Sequence, residues 1–353
     1  MVGRSEPRSE LRRVLDTVAS TGTSAPQVCV VRGLDGIGKT SVLRAVQFEA
    51  ETRFAMCTLR ASLRSGTPSD ALAAAARRRC GEAAVVPVRG RRAHRPASCQ
   101  AHDIEALLRS VARRTVEERP GGLAVFLDDA DGADPAVLRT VARVVRSSRE
   151  GRAGAPVAFF IAAAPGRLSV DSVSADEARF ETHDLERLDA DASRRFLALP
   201  AASGGVEWEE EAIDRAAAWA AGFPAALQVI GAHAWAAALT ARRPARTMSK
   251  AHVDAATRPA IRSLGPLYVA ALKQVTEPRE RRFLDALATL PGGTATQADV
   301  ARAMGVPGRT LTAARARLTQ AGVLVAAESG GLAFGMPGLD AHLRFASRAA
   351  ERR

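Results

Sequence analysis

One short segment limits the folds open to this chain. Residues 30–41 read VVRGLDGIGKTS, which contains the pattern G-x-x-x-x-G-K-[ST]. In this pattern glycines let the backbone curl so that successive N–H groups face phosphate oxygens, the lysine adds a positive charge, and the hydroxyl can bind Mg²⁺. The segment therefore predicts a nucleotide-binding loop. Its expected ligand-binding residues are Gly33, Asp35, Gly36, Ile37, Gly38, Lys39, Thr40 and Ser41.

The flanking sequence favours this interpretation over a simple glycine-rich turn. An apolar run at 28–31 precedes the loop, and a helical pattern at 40–46 follows it. A helix that starts at the loop directs its N-terminal amides at an anion. The chain has 50 Lys+Arg, but its lysines are only Lys39, Lys250 and Lys273. A chain that otherwise uses arginine has a lysine at the position where a compact ammonium fits phosphates.

Length and composition restrict the remaining possibilities. At 353 residues the chain is long enough for two or three domains. It has no apolar run of about 20 residues and no apolar segment near its start, so we expect no membrane span and no signal peptide. The four cysteines are not spaced like zinc ligands, which predicts no structural zinc. Together these features predict a cytoplasmic protein.

Much of the net charge of +12 comes from one stretch. Residues 77–95 read RRRCGEAAVVPVRGRRAHR, with seven arginines and one glutamate. We interpret residues of about 77–101 as a basic surface insertion. It is either an electrostatic arm for nucleic acid or a solvated loop, and the sequence leaves both interpretations open.

Strand and helix patterns alternate over residues 1–188, which predicts an α/β P-loop NTPase domain with a parallel sheet of the additional-strand class. The predicted strands lie at 28–31, 54–59, 123–129, 157–162 and 180–185, and the predicted helices at 5–20, 69–79, 103–118 and 134–147.

The pattern becomes wholly helical after about residue 189. Predicted helices at 190–199, 209–221, 224–240 and 250–275 form an all-α, lid-like domain over 189–276. Residues 277–353 then show helices at 280–290, 297–304 and 308–320, a turn at Gly305, and an apolar hairpin formed by 323–326 and 332–334. This order is typical of a C-terminal winged helix.

Two carboxylates end the third predicted strand. Asp128 is expected to hold Mg²⁺ through water, as in a Walker B motif, together with the Thr40 hydroxyl. Asp129 is expected to orient or deprotonate the attacking water, and Lys39 is the second predicted catalytic residue. An acidic strand end that caps the next helix is the alternative, and Asp131 is the second candidate carboxylate.

The fourth predicted strand ends without the polar residue that would sense a γ-phosphate. Its last residues are alanines, followed by Pro165, Gly166 and Arg167. Either Arg167 takes this role or phosphate sensing is weak. Arg179 is a candidate arginine finger for a neighbouring subunit, with an ordinary surface arginine as the alternative.

These motifs together resemble AAA+/STAND-type ATPases, most closely the bacterial and archaeal ATP-binding proteins related to origin-recognition-complex ATPases. The resemblance covers nearly the whole chain except the basic insertion. It implies ATP or ADP with Mg²⁺, and an adenine pocket formed by Val2, Gly3, Arg4 and, in the segment AGFPAALQ, Pro224. The chain departs from the family pattern at Asp129, where glutamate is usual, and at the missing sensor. Both departures predict slow hydrolysis.

Two functions agree with the sequence, while the helical lid and winged helix disfavour a small-molecule kinase. In the first, the ATPase acts on or with double-stranded DNA, which the predicted recognition helix contacts. In the second, it is a nucleotide-dependent signalling switch whose winged helix contacts a protein partner or another copy of the chain. The expected DNA-contacting residues are Arg309, Thr310, Thr312, Arg315, Arg317 and Gln320.

Overall fold

The computed structural model divides the chain into two compact units. The first contains Gly3–Gly33 and Gly38–Leu185, and the second contains Val2, Leu34–Ile37 and Glu186–Arg353. The structure describes residues 2–22, 27–63, 68–80, 106–108, 110–111, 121–131, 133, 135–150, 156–168, 178–240, 246–291, 294–327 and 330–351. Most of the basic insertion, residues 81–101, lies outside the described residues.

A five-stranded parallel sheet forms the centre of the first unit, as the alternating pattern predicts. The strands are β1 (Gln27–Arg32), β2 (Cys57–Ser62), β3 (Leu123–Asp128), β4 (Val157–Ala163) and β5 (Arg179–Asp184). Their order in the sheet is β2-β3-β4-β1-β5. Every residue of β3 and β4 is buried, because these strands lie inside the sheet and are covered on both faces.

The second strand begins three residues later than predicted. The apolar letters from residue 54 suggested a strand, but Ala55 has a φ of 48° and the amide of Met56 donates to the carbonyl of Ala50 at 2.9 Å. Residues 54–56 therefore form the turn after the preceding helix, and pairing with β3 starts only at Cys57.

Amphipathic helices accompany this sheet. The first helix buries Leu11, Val14, Leu15 and Val18, which recur at helical spacing, and it ends at Gly22 with a φ of 65°. Of the helix predicted at 103–118, residues 106–108 and 110–111 are described, and they are helical. The helices of the first unit with defined bounds are α1 (Ser5–Thr21), α2 (Lys39–Thr52), α3 (Pro68–Cys80) and α4 (Pro135–Arg149).

The second unit starts with mostly helical structure. Asp189 caps the first of its helices by accepting a hydrogen bond from the amide of Ala192 at 2.6 Å. The region is not wholly helical as predicted, because two short strands pair in parallel. The predicted helix at 250–275 is also interrupted at Leu264. The elements are α5 (Ala190–Ser203), β6 (Glu207–Trp208), α6 (Glu210–Ala220), α7 (Pro224–Thr240), β7 (Thr247–Met248), α8 (Lys250–Ser263) and α9 (Gly265–Leu272).

The C-terminal part combines short helices with a three-stranded antiparallel sheet of order β8-β10-β9. Gly305, with a φ of 66°, ends one helix, and a 3₁₀ turn at Gly308–Leu311 leads into the next. The elements are α10 (Pro278–Thr289), β8 (Thr294–Ala295), α11 (Gln297–Met304), α12 (Thr312–Gln320), β9 (Leu324–Ala326), β10 (Leu332–Phe334) and α13 (Leu339–Glu351). In the described part of the chain, no helix is both long and apolar enough to cross a membrane.

Candidate nucleotide-binding site

The glycine-rich loop connects β1 to α2 in the conformation its sequence requires. Gly36 and Gly38 have φ values of 88° and 107°, a region that side chains rarely adopt. The loop is fixed at its start by the Gly33 amide, which donates to the Ala163 carbonyl of β4 at 3.2 Å. Gly38 caps α2 and offers no side-chain hydrogen bond to that helix's first amides. These amides are therefore placed to bind an anion.

The loop leaves space on the side where phosphate would lie. A Cβ atom built on Gly38 would meet nothing within 4 Å, whereas one on Gly36 would stand 2.9 Å from Cβ of Ala225. The loop is thus closely packed at Gly36, and there is open space next to Gly38. This geometry fits a phosphate chain bound by backbone amides.

Lys39 lies inside this loop. Its side chain is buried, and its Nζ donates to the carbonyl of Gly33 at 2.7 Å. The ammonium therefore lies against the backbone at the start of the glycine-rich loop. Ser41, the last residue of the predicted loop, is exposed on α2.

Thr40 and Asp128, the two predicted magnesium ligands, are in direct contact. The Thr40 hydroxyl lies 2.9 Å from Oδ2 and 3.2 Å from Oδ1 of Asp128, although the residues are 88 positions apart. Asp128 is buried at the end of β3. A hydroxyl and a carboxylate are hard oxygen donors, so this pair fits Mg²⁺.

The end of β2 adds two residues that the sequence analysis missed. Nη2 of Arg60 lies 2.6 Å from Oδ2 of Asp128, and the Ser62 hydroxyl donates to Oδ2 of Asp129 at 2.8 Å. Strand pairing places Ser62 beside Asp128, which brings these side chains to one edge of the sheet. Their position near the end of a predicted strand was the only signal, and using it required the strand order.

The aspartate that ends β3 and the two that follow it have different environments. Asp129 has a φ of 54°, which turns the chain out of the strand, and its amide donates to Oδ1 of Asp128 at 3.1 Å. Asp131 accepts a hydrogen bond from the amide of Ala164. That contact ties Asp131 to the end of β4, while Asp129 stands next to Asp128 and Ser62.

The remaining predicted residues are placed one by one. Arg4 is buried before α1, next to Gly3 with a φ of 63° and the partly buried Val2. Arg167 is exposed in the turn after β4, and Pro224 is the first residue of α7. The neighbouring Ala225 amide donates to the carbonyl of Gly36 at 3.1 Å. The candidate arginine finger Arg179 has an exposed side chain, 3.8 Å from Glu181.

Comparison with known proteins agrees with this geometry. Residues 1–161 match the family model of the AAA ATPase domain. The chain contains an AAA+ ATPase domain of the P-loop class. Residues 266–343 match a domain of unknown function, DUF8462, and this match assigns no activity to the C-terminal part. No curated protein matches the sequence.

Solved structures share the fold over nearly the full length. The ORC2 protein of Aeropyrum pernix, in ADPNP and ADP complexes, has a TM-score of 0.63 at 16% identity, covering 98% of this chain and 94% of that chain. A Walker-type ATPase of Pyrococcus abyssi has a TM-score of 0.62 at 15% identity, covering 98% and 96%. The RuvB Holliday junction branch migration motor of Thermotoga maritima has a TM-score of 0.50 at 16% identity, covering 97% and 95%.

Proposed function

We propose that this AAA+ protein binds ATP with Mg²⁺, hydrolyses it slowly, and acts on or with double-stranded DNA through a C-terminal winged helix. The contact between Thr40 and Asp128 beside the buried Lys39 is the observation that carries the nucleotide part. In this proposal, residues 1–188 form the ATPase domain with its basic insertion at about 77–101. Residues 189–276 form a helical lid, and 277–353 form the winged helix.

The loop residues bind the phosphates in this scheme. Amides from Gly36 to Thr40 and the Lys39 ammonium contact phosphate oxygens, while Thr40 and Asp128 hold the metal ion. Val2, Gly3, Arg4 and Pro224 contribute to the site of the base, and Arg167 takes the place of a polar sensor. Bound Mg²⁺ supplies positive charge that stabilises the transferring phosphoryl group.

Asp129 is the proposed base that orients water or accepts its proton. In the structure its carboxylate is held by the Ser62 hydroxyl at 2.8 Å. A carboxylate with one methylene fewer than glutamate reaches less far, and the Ser62 hydrogen bond holds this one toward the end of β2. Both features support slow turnover.

The DNA part of the proposal depends on the helix that follows the 3₁₀ turn. The 3₁₀ turn and this helix together bury Leu311, Ala314 and Leu318 and expose Arg309 and Arg315. An exposed basic face on the second helix of a helix-turn-helix suits contact with phosphates in the major groove. Arg317 already pairs with Glu280, which leaves it less free to bind DNA. The RuvB name and its shared fold add support by analogy only.

Charge-reversal variants test this surface. Arg309→Glu with Arg315→Glu reverses two exposed charges, one on the 3₁₀ turn and one on α12, and Arg279→Glu, the control, reverses one exposed charge on α10. Binding of labelled duplex DNA is measured at two salt concentrations. We expect the double variant to bind DNA at least tenfold more weakly, with nucleotide binding unchanged. The slope of the logarithm of its DNA-binding constant against the logarithm of salt concentration should fall in magnitude by about two. An equal loss in Arg279→Glu, or no DNA binding at low salt, contradicts the DNA part.

Nucleotide content tests the ATPase part separately. Purified protein and its Lys39→Ala variant are analysed for bound nucleotide and for phosphate release with Mg-ATP. We expect ATP or ADP in the original chain, little in the variant, and slow release that Asp129→Asn abolishes. Absence of nucleotide uptake in both proteins would refute the central claim.

A nucleotide-dependent switch that contacts a protein partner is the second candidate. Arg187 donates to the carbonyls of Phe334 and Gly335 at 3.2 and 3.0 Å and to that of Ala221 at 3.2 Å. The Tyr268 hydroxyl donates to the carbonyl of Pro337 at 2.6 Å. These bonds connect the end of β10 and the residues after it to Arg187, to the end of α6 and to α9, so a nucleotide-dependent movement of these parts would reach the hairpin. A nucleotide-dependent change in sedimentation without DNA affinity would favour this function.

A further inference from the structure

A second group of ligating side chains lies in the first unit, on strands β1 and β5. Parallel pairing places Cys29 opposite Glu181 and Val31 opposite His183, so Cys29, Glu181 and His183 share one face of the sheet. The Cys29 sulfur, a carboxylate oxygen of Glu181 and a ring nitrogen of His183 all lie within 4.8 Å of one another. Thiol, carboxylate and imidazole are the side-chain ligands of zinc in proteins.

His183 has the hydrogen-bonding pattern of a metal ligand. Its Nδ1 lies 2.7 Å from Oε2 of Glu10 on α1, and its Nε2 is buried without a hydrogen-bond partner among the described residues. In the tautomer whose Nδ1–H donates a hydrogen bond to the carboxylate, Nε2 carries the free lone pair. A carboxylate on one ring nitrogen and a metal on the other is the arrangement that zinc-binding histidines adopt.

We propose that Cys29, Glu181 and His183 bind one Zn²⁺ ion, which Glu10 supports by orienting the imidazole. The mixed sulfur, nitrogen and oxygen donors suit zinc, whereas Mg²⁺ and Ca²⁺ prefer oxygen ligands alone. Three protein ligands leave a fourth tetrahedral position for water. This site is separate from the proposed Thr40 and Asp128 magnesium site, and it would correct the prediction of no structural zinc from cysteine spacing.

The proton balance of the site is simple. Burial, followed by the negative charges of Glu181 and Glu10, raises the pKa of the Cys29 thiol to about 12. Zinc binding forms one zinc–sulfur bond and releases the thiol proton to solvent, with no change in oxidation state. The same carboxylates that disfavour a bare thiolate attract a dication.

The site has an entry path and weak competitors. The side chains of Glu10 and Glu181 are 36% and 38% exposed, so hydrated metal can reach the carboxylates first. Their arginine neighbours, Arg13 and Arg179, stand at 3.8 Å, the distance of loose surface ion pairs. Bound zinc would attach the edge strand β5, whose residues are exposed or partly buried, to the buried strand β1.

Cobalt substitution and zinc affinity test the proposal on the 353-residue, nucleotide-free chain. Co²⁺ reports a thiolate ligand through its charge-transfer absorption and tetrahedral geometry through its visible bands. Zinc affinity is measured by competition with a coloured chelator. We expect one equivalent of metal, about one proton released per zinc, and a charge-transfer band that disappears in Cys29→Ala. Cys57→Ala, at the other buried cysteine of the described part, should retain the band, as should Cys80→Ala and Cys99→Ala.

Two further variants keep the proposal testable if Cys29→Ala folds poorly. Glu10→Gln should keep the band and weaken zinc binding about 10–100-fold, because the carboxylate acts through the imidazole. His183→Gln should weaken zinc binding more than Glu10→Gln does. Circular dichroism confirms that each variant is folded. A band that persists in Cys29→Ala, or a zinc affinity that is equal in the original chain, Glu10→Gln and His183→Gln, overturns the proposal.

Discussion

The ion pair between Arg60 and Asp128 gives a prediction whose size follows from burial. Asp128 has a side chain only 6% exposed, and the Arg60 guanidinium stands 2.6 Å away with its side chain 23% exposed. The Thr40 hydroxyl and the Asp129 amide also donate to this carboxylate, but neither carries charge. Of these three contacts to Asp128, replacing Arg60 with methionine leaves only the two neutral ones, and the negative charge of Asp128 stays buried.

The expected cost comes from two considerations. Removing one partner of a buried ion pair costs about 3–5 kcal/mol, because the other charge stays buried. Arg60 is partly exposed, so water compensates for some of this loss. We expect Arg60→Met to lower the free energy of unfolding by about 2–4 kcal/mol in nucleotide-free protein. Added Mg²⁺ with nucleotide should stabilise the variant more than the original chain, since the ion then neutralises Asp128.

Urea denaturation of a double-mutant cycle measures this effect. In an Asp128→Asn background the cost of Arg60→Met should fall below about 1 kcal/mol, because no buried charge remains to be paired. Arg44→Met, which removes an exposed arginine from α2, serves as the control and should change little. Equal costs of Arg60→Met in both backgrounds would refute the ion-pair explanation.

Three further predictions concern the loop, the C-terminal unit and pH. Gly36→Ala should destabilise more than Gly38→Ala by about 1–3 kcal/mol in urea, because only at Gly36 does the new methyl group meet atoms within 3.1 Å. Gly38→Ala should instead weaken nucleotide binding, and equal stability losses would contradict this. Tyr268→Phe loses the bond to the carbonyl of Pro337 and should cost about 0.5–1.5 kcal/mol, measured by thermal or urea unfolding. With chelator present, stability should fall between about pH 9 and 12 by up to about 1.4 kcal/mol per pH unit through Cys29. The unfolded thiol, at the ordinary pKa of 9.0, ionises in this range while the folded thiol, with a pKa of about 12, keeps its proton. The difference from Cys29→Ala isolates this slope, and identical pH profiles would contradict it.

Local sequence patterns were enough to predict much of the nucleotide-binding domain. A strand, a glycine-rich loop and a helix can be predicted from consecutive residues, because φ preference, helix starts and apolar periodicity are short-range properties. The contact between Thr40 and Asp128 could be expected, because the loop after β1 and the end of β3 lie at the same edge of a parallel sheet. The structure has that contact at 2.9 Å.

The predictions of strand position were wrong where the local apolar pattern differs from the hydrogen-bonded strand pairing. Apolar residues from 54 onward suggested an early start for β2, but backbone hydrogen bonds to α2 use residues before Cys57. The short β6 and β7 strands carry almost no periodic signal, since each has two residues. Their pairing depends on where the surrounding helices bring them.

The sequence by itself therefore determined the glycine-rich loop before Lys39 and the alternation of strands and helices. Only the tertiary structure decided that β2 lies beside β3 and that β5 lies beside β1. That order places Arg60 on Asp128 and brings His183 to Cys29. The physical reason is that strand neighbours are fixed by hydrogen bonds and packing between distant segments, which no short window of sequence contains.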